Sequence, residues 1–322
     1  MSGIIDVLLL LALPASGKSE VRRYLSHLDP RECAADFHLG PTVQLDDFPY
    51  VHLMRRIAKE LTLRDQDGIF FNSEVLPFKE PRDWGTLVEL INEDFRDLTH
   101  GRRPASASAA AWLFERLDAA RAKVGAVPAL ARLDDGLRRE VSEVLEAEAA
   151  DLLAKKIAEI PDTLAGKTIV IEFARGGADG SSMPLPAPYG YRYSLSRLSP
   201  EILARASILY IWVSPDESRR KNHARTDPND PGSILHHGVP LAVMYGDYGC
   251  DDIAWLLETS ERPGSVRVEA GGRLFHVPLA KFDNRVDKTT FIRAEPSEWP
   301  PDQIAALRAE LQRAFAHLAG RD

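Results

Sequence analysis

Cysteine is nearly missing. Cys33 and Cys250 are the only two in 322 residues, and neither spacing nor neighbours make a metal-ligand pattern. That excludes a disulfide-stapled scaffold and suits two ordinary thiols in a reducing compartment. Excess positive charge is lacking as well: the formal net charge is −8, which argues against a protein that coats nucleic acid by general electrostatics. No apolar run reaches membrane length. The run over 4–13 has no Lys or Arg before it, is interrupted by Asp6, and leads straight into Gly17-Lys18-Ser19. It therefore reads as a buried strand and not as a leader. Internal repeats and low-complexity segments are missing too. With 44% hydrophobic residues, a chain of this length can bury a full core without staples. The expectation is a cytoplasmic monomer or homodimer with no membrane partner.

What is present is a pattern of buried strands. Five stretches rich in branched apolar residues, 4–12, 42–45, 168–173, 206–213 and 275–282, read as parallel strands buried on both faces. Between the first two, 18–28 carries Val21, Tyr24 and Leu25 on one face, a helix period. The interval after the second strand is too long for a crossover and largely helical in pattern, with helices expected over 84–99, 107–123, 129–147 and 148–159. It reads as a helical insertion over 48–165 within a core made of 1–47 and 166–322. The Gly, Ser and Pro of 176–188 predict a mobile loop. The pair 266–269 and 273–276 flanks Gly271-Gly272 as a short hairpin, and 301–318 is an amphipathic helix. Phe70, Phe71 and Trp84 are expected in the core, with stacking on an aromatic substrate as the alternative.

The first strand runs into Ala12-Leu13-Pro14-Ala15-Ser16-Gly17-Lys18-Ser19. A glycine-containing turn between a buried strand and a helix presents successive backbone N–H groups to a polyphosphate, and the helix N-terminus adds its positive end. A lysine there reaches the outer phosphates and the following hydroxyl ligates magnesium. Pro14, Ala15, Ser16, Gly17, Lys18, Ser19 and Glu20 are thus expected to hold the phosphates of ATP, with Ser19 on Mg2+. The first position is Ala12 where the motif usually has glycine; a methyl tightens the turn but removes no donor.

This wording resembles the P-loop kinases, among them nucleoside and nucleotide kinases, zeta-toxin-like proteins and polynucleotide kinases. A guanine-specifying N-K-x-D motif of the GTPase kind is missing. The resemblance implies an α/β P-loop NTPase three-layer sandwich, strand order 2-3-1-4-5, with a helical insertion and a lid at about 214–240. It also implies a Mg-ATP-dependent phosphotransferase whose partner is a small-molecule phosphoryl acceptor held between the insertion and the core.

The second strand ends in Gln44-Leu45-Asp46-Asp47-Phe48-Pro49-Tyr50, which resembles the D-D-F-Y segment of uridine-kinase-like enzymes. Asp46 or Asp47 would then accept the proton of the attacking hydroxyl; the alternative is a pair that caps the next helix. Glu172 stands at the end of the third strand, where a carboxylate binds magnesium through water. Arg175 follows on a glycine-rich turn, where it either grips an acceptor or makes a structural ion pair. After the fourth strand, Arg219, Arg220 and Arg225 stand where such kinases carry lid arginines that close over ATP. The turn formers over 226–232 suit a moving flap. His223, His236 and His237 lack the spacing of a metal site. Two other classes remain open: an ATPase that drives a conformational step, and a nucleotide-binding regulatory module with degenerate catalysis, to which Ala12 and Glu172 point.

Overall fold

The computed structural model describes residues 3–225, Arg225 by its backbone alone, and 238–320. Strand β1 (Val7–Leu11) is five consecutive buried apolar residues, as a strand covered on both faces must be. β2 (Thr42–Asp46), β3 (Thr168–Phe173), β4 (Ala206–Trp212), β5 (Ser265–Ala270) and β6 (Arg273–Asp283) join it in one six-stranded sheet of order β2-β3-β1-β4-β6-β5. Neighbours run parallel except β5, which pairs antiparallel with β6.

The sheet therefore differs from the expected 2-3-1-4-5 at one edge. The expected hairpin is no appendage: its second arm continues into the expected fifth strand, so β6 is a single strand of 11 residues that accepts β5 as a new edge. Its turn needs both glycines, since Gly271 and Gly272 have φ of +55° and +71°, a left-handed conformation that side chains disfavour.

Helices α1 (Lys18–His27) and α2 (Pro30–Asp36) follow β1, and α3 (Phe48–Thr62), α4 (Asp83–Thr99), α5 (Ala109–Lys123) and α6 (Asp135–Glu159) separate β2 from β3. α7 (Gly190–Arg197) and α8 (Pro200–Leu203) lead into β4. α9 (Pro215–Arg225), α10 (Leu241–Gly246) and α11 (Ile253–Glu258) precede the hairpin, and α12 (Pro301–Leu318) follows β6. The two helices expected over 129–159 are one, because 137–160 contains neither Gly nor Pro and is rich in Ala, Leu, Glu and Lys.

Side chains alternate across a strand, and β1 shows what each face meets. Val7, Leu9 and Leu11 pack with Val88, Ile91 and Phe95 of α4 and with Tyr191 and Leu195 of α7. Leu8 and Leu10 face the other way, onto Val21 and Tyr24 of α1 and Leu307, Leu311 and Phe315 of α12. Helices thus cover both faces of a mostly parallel sheet. The opposite side of α4, through Trp84, Leu87 and Leu90, gathers α3, α5 and α6 into a further apolar cluster, in which Phe70 and Phe71 are buried. All three aromatics singled out in the sequence lie in this core.

The segment 176–188, expected to be a mobile loop, is tied at its start to the stretch around Cys250. Gly177 bridges to Cys250, and Asp179 donates its N–H to Tyr245 O at 2.9 Å. Gly176 permits the approach, since a Cβ there would sit 2.4 Å from Cys250 O. Among the described residues no helix is long and apolar enough to cross a membrane.

Candidate functional site

The β1–α1 turn is built to keep its shape. Ala12 through Lys18 are all buried, and the methyl of Ala12 lies in the apolar layer with Leu8, Leu10 and Val21, so alanine fills space at that position. The turn is pinned from outside: Ser218 Oγ donates to Pro14 O at 2.7 Å, and Asn284 Nδ2 donates to Ser16 O at 2.7 Å. Gly17 has φ +102°, and a Cβ there would lie 2.5 Å from Thr289 Oγ1 and 2.7 Å from Asn284 Nδ2. Only glycine satisfies both the conformation and the space. α1 starts directly after it with no side-chain cap, so its first N–H groups are not taken by a capping side chain. Lys18 Nζ folds back to within 3.5 Å of Ala12 O and 4.0 Å of Glu172 Oε1. Ser19 is half-buried on the first turn. Glu20 points elsewhere, accepting from Arg293 Nε at 2.6 Å.

Beside this turn the ends of β2 and β3 bring three carboxylates together. Asp46 and Glu172 are register partners on neighbouring strands, and Asp47 follows directly. Burial, helped by the negative charges of Glu172 and Asp47, pushes the Asp46 carboxyl up to about 6. One Asp46 oxygen accepts the Phe48 N–H at 3.0 Å, while Asp47, at the N-cap position of α3, makes no side-chain cap bond. Glu172 accepts from Arg22 Nη1 at 2.5 Å, and Arg22 also donates to Gln44. Arg22 escaped the sequence reading although it lies one turn beyond Ser19; the adjacency of Glu172 to α1 depends on the sheet order and is not visible in the chain.

Arg175 is an ion-pair partner, not an exposed grip. Its Nη1 meets Asp47 Oδ2 at 2.6 Å, and its guanidinium lies 4.9 Å from the Trp84 ring centre and 5.0 Å from that of Phe173. Of the two roles weighed for it, the structure displays the structural pair.

α9 separates its arginines. Arg219 lies over Tyr245 at 4.7 Å and pairs with Asp216 at 2.5 Å, with Nη1 enclosed and lacking an acceptor. Arg220 is exposed and forms a two-pronged contact with Glu217, 2.7 Å on each prong, as solvated helix arginines do. The buried cation of the run is Lys221, which pairs with Asp287 at 2.9 Å, and the sequence reading passed it over. The Arg225 side chain, the turn formers over 226–232, and His236 and His237 lie outside the described residues.

Among the described residues no group of three or more His, Cys, Asp or Glu is arranged to hold a metal by itself. A magnesium ion carried by a polyphosphate needs only one or two protein oxygens and keeps its waters. The Ser19 hydroxyl and the Asp46 and Glu172 carboxylates are hard oxygens of that kind, although Glu172 already meets Arg22 and Lys18. Comparison of the chain with models of known protein families gives no match, and comparison with curated proteins gives none.

Proposed function

We propose that the protein is a Mg-ATP-dependent phosphotransferase of the P-loop kind, with residues 12–19 as its phosphate loop. The observation that carries the reading is the Lys18 ammonium, folded over a buried, externally pinned turn at the start of an uncapped helix and 4.0 Å from a carboxylate on the adjoining strand. An ammonium, a row of backbone N–H groups and a helix N-terminus together attract a triphosphate. Ser19 and Glu172, with Asp46 behind them, would hold magnesium, which would neutralise phosphate charge when bound. Asp46 is the group that takes a proton. As the acceptor oxygen bonds to the γ-phosphorus and the bond to the ADP oxygen breaks, the hydroxyl proton passes to the Asp46 carboxylate.

Titration calorimetry of the wild type and Lys18→Ala with ATP and magnesium tests the reading. Loss of one charge-assisted contact weakens binding by about 1.5–3 kcal/mol, with the circular dichroism spectrum unchanged. Equal affinity in the two proteins removes the phosphate loop. The Arg22 contact to Glu172 favours a second reading, a module that binds ATP and does not turn it over. Tight ATP binding without transfer or hydrolysis marks that case.

A further inference from the structure

The cleft where α4 ends and α5 begins gathers arginines. It has a volume of about 520 Å³, is open to solvent, and has Arg96, Arg102, Arg103 and Arg116 in its lining against Glu93 and Asp97. Four cations to two anions is a local reversal in a chain whose formal net charge is −8. Both carboxylates are already engaged. Glu93 meets Arg116 at 3.1 Å and Lys123 at 2.7 Å, and Asp97 meets Arg102 at 3.2 Å. Arg96 is exposed, and its side chain has no ion pair or hydrogen bond among the described residues. Arg103 gives one N–H to Ile160 O at 3.2 Å, and its carboxylate neighbour, Asp162, is fully exposed and 3.9 Å away.

One wall of the cleft is preorganised. The Arg116 side chain is 11% exposed and is held by Glu93, by Asp94 at 2.8 Å and by the Tyr50 hydroxyl at 2.7 Å. These bonds use three of its five N–H donors, and two remain. Its guanidinium lies over the Trp112 ring at 4.7 Å. Trp112, half-buried, and Pro104 are the uncharged part of the lining.

We propose that this cleft binds a small phosphate-bearing molecule with a flat ring, of the nucleoside monophosphate class, at a site separate from the phosphate loop. Arginine forks match phosphate oxygens in bidentate fashion, and Arg96 and Arg103 are two forks without a carboxylate in direct contact, enough for the double charge of a phosphomonoester. Trp112 and Pro104 give the ring an apolar surface to lie against. The volume falls in the range of small-ligand sites, about 300–1,000 Å³. A long nucleic acid strand would leave the cleft for a surface whose overall charge repels it.

The arginines do more than serve a helix end. Cations on the last turn of α4 complement its dipole, which accounts for Arg96 alone; Arg102 and Arg103 lie past that helix, and Arg116 comes from α5. The cleft is also remote from the strand mouth. Trp84, at the start of α4, lies against Arg175, and Arg96 is about 18 Å farther along the same helix.

The test uses the full chain carrying Lys18→Ala, which weakens binding at the phosphate loop. AMP, CMP, GMP and UMP are titrated by calorimetry beside ribose 5-phosphate, adenosine and a short RNA strand. At least one nucleotide should bind more tightly than ribose 5-phosphate and adenosine. Its affinity should fall about tenfold or more when Arg96→Gln and Arg103→Gln are combined, the loss of hydrogen bonds to a charged group, and the change in tryptophan emission on binding should vanish in Trp112→Phe. Both arginines are exposed, so the fold should tolerate the pair. The proposal is overturned if no nucleotide binds, if the double substitution leaves the affinity unchanged, or if the emission change persists in Trp112→Phe. Equal binding of ribose 5-phosphate or of adenosine removes the ring or the phosphate from the proposal and overturns it as stated, and tighter binding of the RNA strand makes the cleft a nucleic-acid site instead. Loss of the phosphate-loop reading leaves every one of these outcomes as it is.

Discussion

Arg175 and Asp47 meet at 2.6 Å with the arginine 2% exposed, so the charges brought to the ends of β3 and β2 cancel each other within the protein. The consequence falls on Asp46. It makes no ion pair among the described residues, and its carboxyl is raised to about 6, which keeps it ionised at neutral pH while leaving it basic enough to take a proton.

Breaking the Arg175–Asp47 pair from either side should be expensive. Arg175→Ala or Asp47→Asn leaves a buried charge without its partner, a loss of about 3–5 kcal/mol. Urea denaturation reads it, and a loss under about 1 kcal/mol in both variants would show that the pair is not a buried lock.

Asp46→Asn should behave in the opposite way. Stability should hold or rise, because the native state no longer confines a carboxyl near two others. Phosphoryl transfer should drop by about 10²–10⁴-fold, with ATP affinity little changed because Lys18 and the loop amides remain. If transfer survives both Asp46→Asn and Asp47→Asn but not Glu172→Gln, the base has been misassigned.

Gly17→Ala asks whether the loop is as tightly packed as it looks. The new methyl would stand 2.5 Å from Thr289 Oγ1 at φ +102°, so unfolding free energy should fall by more than about 1 kcal/mol. ATP affinity should fall with it. A variant that binds ATP normally at wild-type stability would mean that Asn284 and Thr289 do not press on the turn.

The pH dependence of stability should report Asp247. Burial raises its carboxyl from 3.8 to about 7, opposed only by Arg55; Tyr248 and Tyr189 are the other titratable groups facing it. Below about pH 4 both folded and unfolded chains hold the proton. As pH rises from there to about 7, the unfolded chain releases it and the folded chain does not, so native stability declines, by at most about 4 kcal/mol. Asp247→Asn removes that decline: it should match the wild type near pH 4 and exceed it at pH 8. Parallel stability curves for the two proteins across this range would mean that Asp247 titrates as an exposed carboxylate does.

Strand positions were legible in the sequence because a strand buried on both faces leaves an unbroken apolar run. β3, with Ile169, Val170 and Ile171 in a row before Glu172, is one such case. β5 was legible only as a hairpin arm, since 266–269 alternates like any surface hairpin and gives no sign of joining a parallel sheet. At the site, the loop residues 12–19 could be picked out because a phosphate turn demands them in order. The partners that decide how those residues behave could not. Arg22 on Glu172, Arg175 on Asp47, and Asn284 under Ser16 join residues 128 to 268 positions apart, and two of the three involve residue types that occur all over the surface. Asp247 carries no motif at all; only its burial marks it.

α4 is apolar on two sides, with Val88, Ile91 and Phe95 against the sheet and Trp84, Leu87 and Leu90 against α3, α5 and α6. A helix shared in this way couples the melting of the two regions it joins. Neither the sheet nor the helical cluster can lose its packing without exposing one wall of the other, so the chain should unfold in a single heat-absorption peak, its calorimetric and van't Hoff enthalpies in agreement. The same sharing lets a ligand that tightens the helical cluster raise the melting temperature of the whole protein.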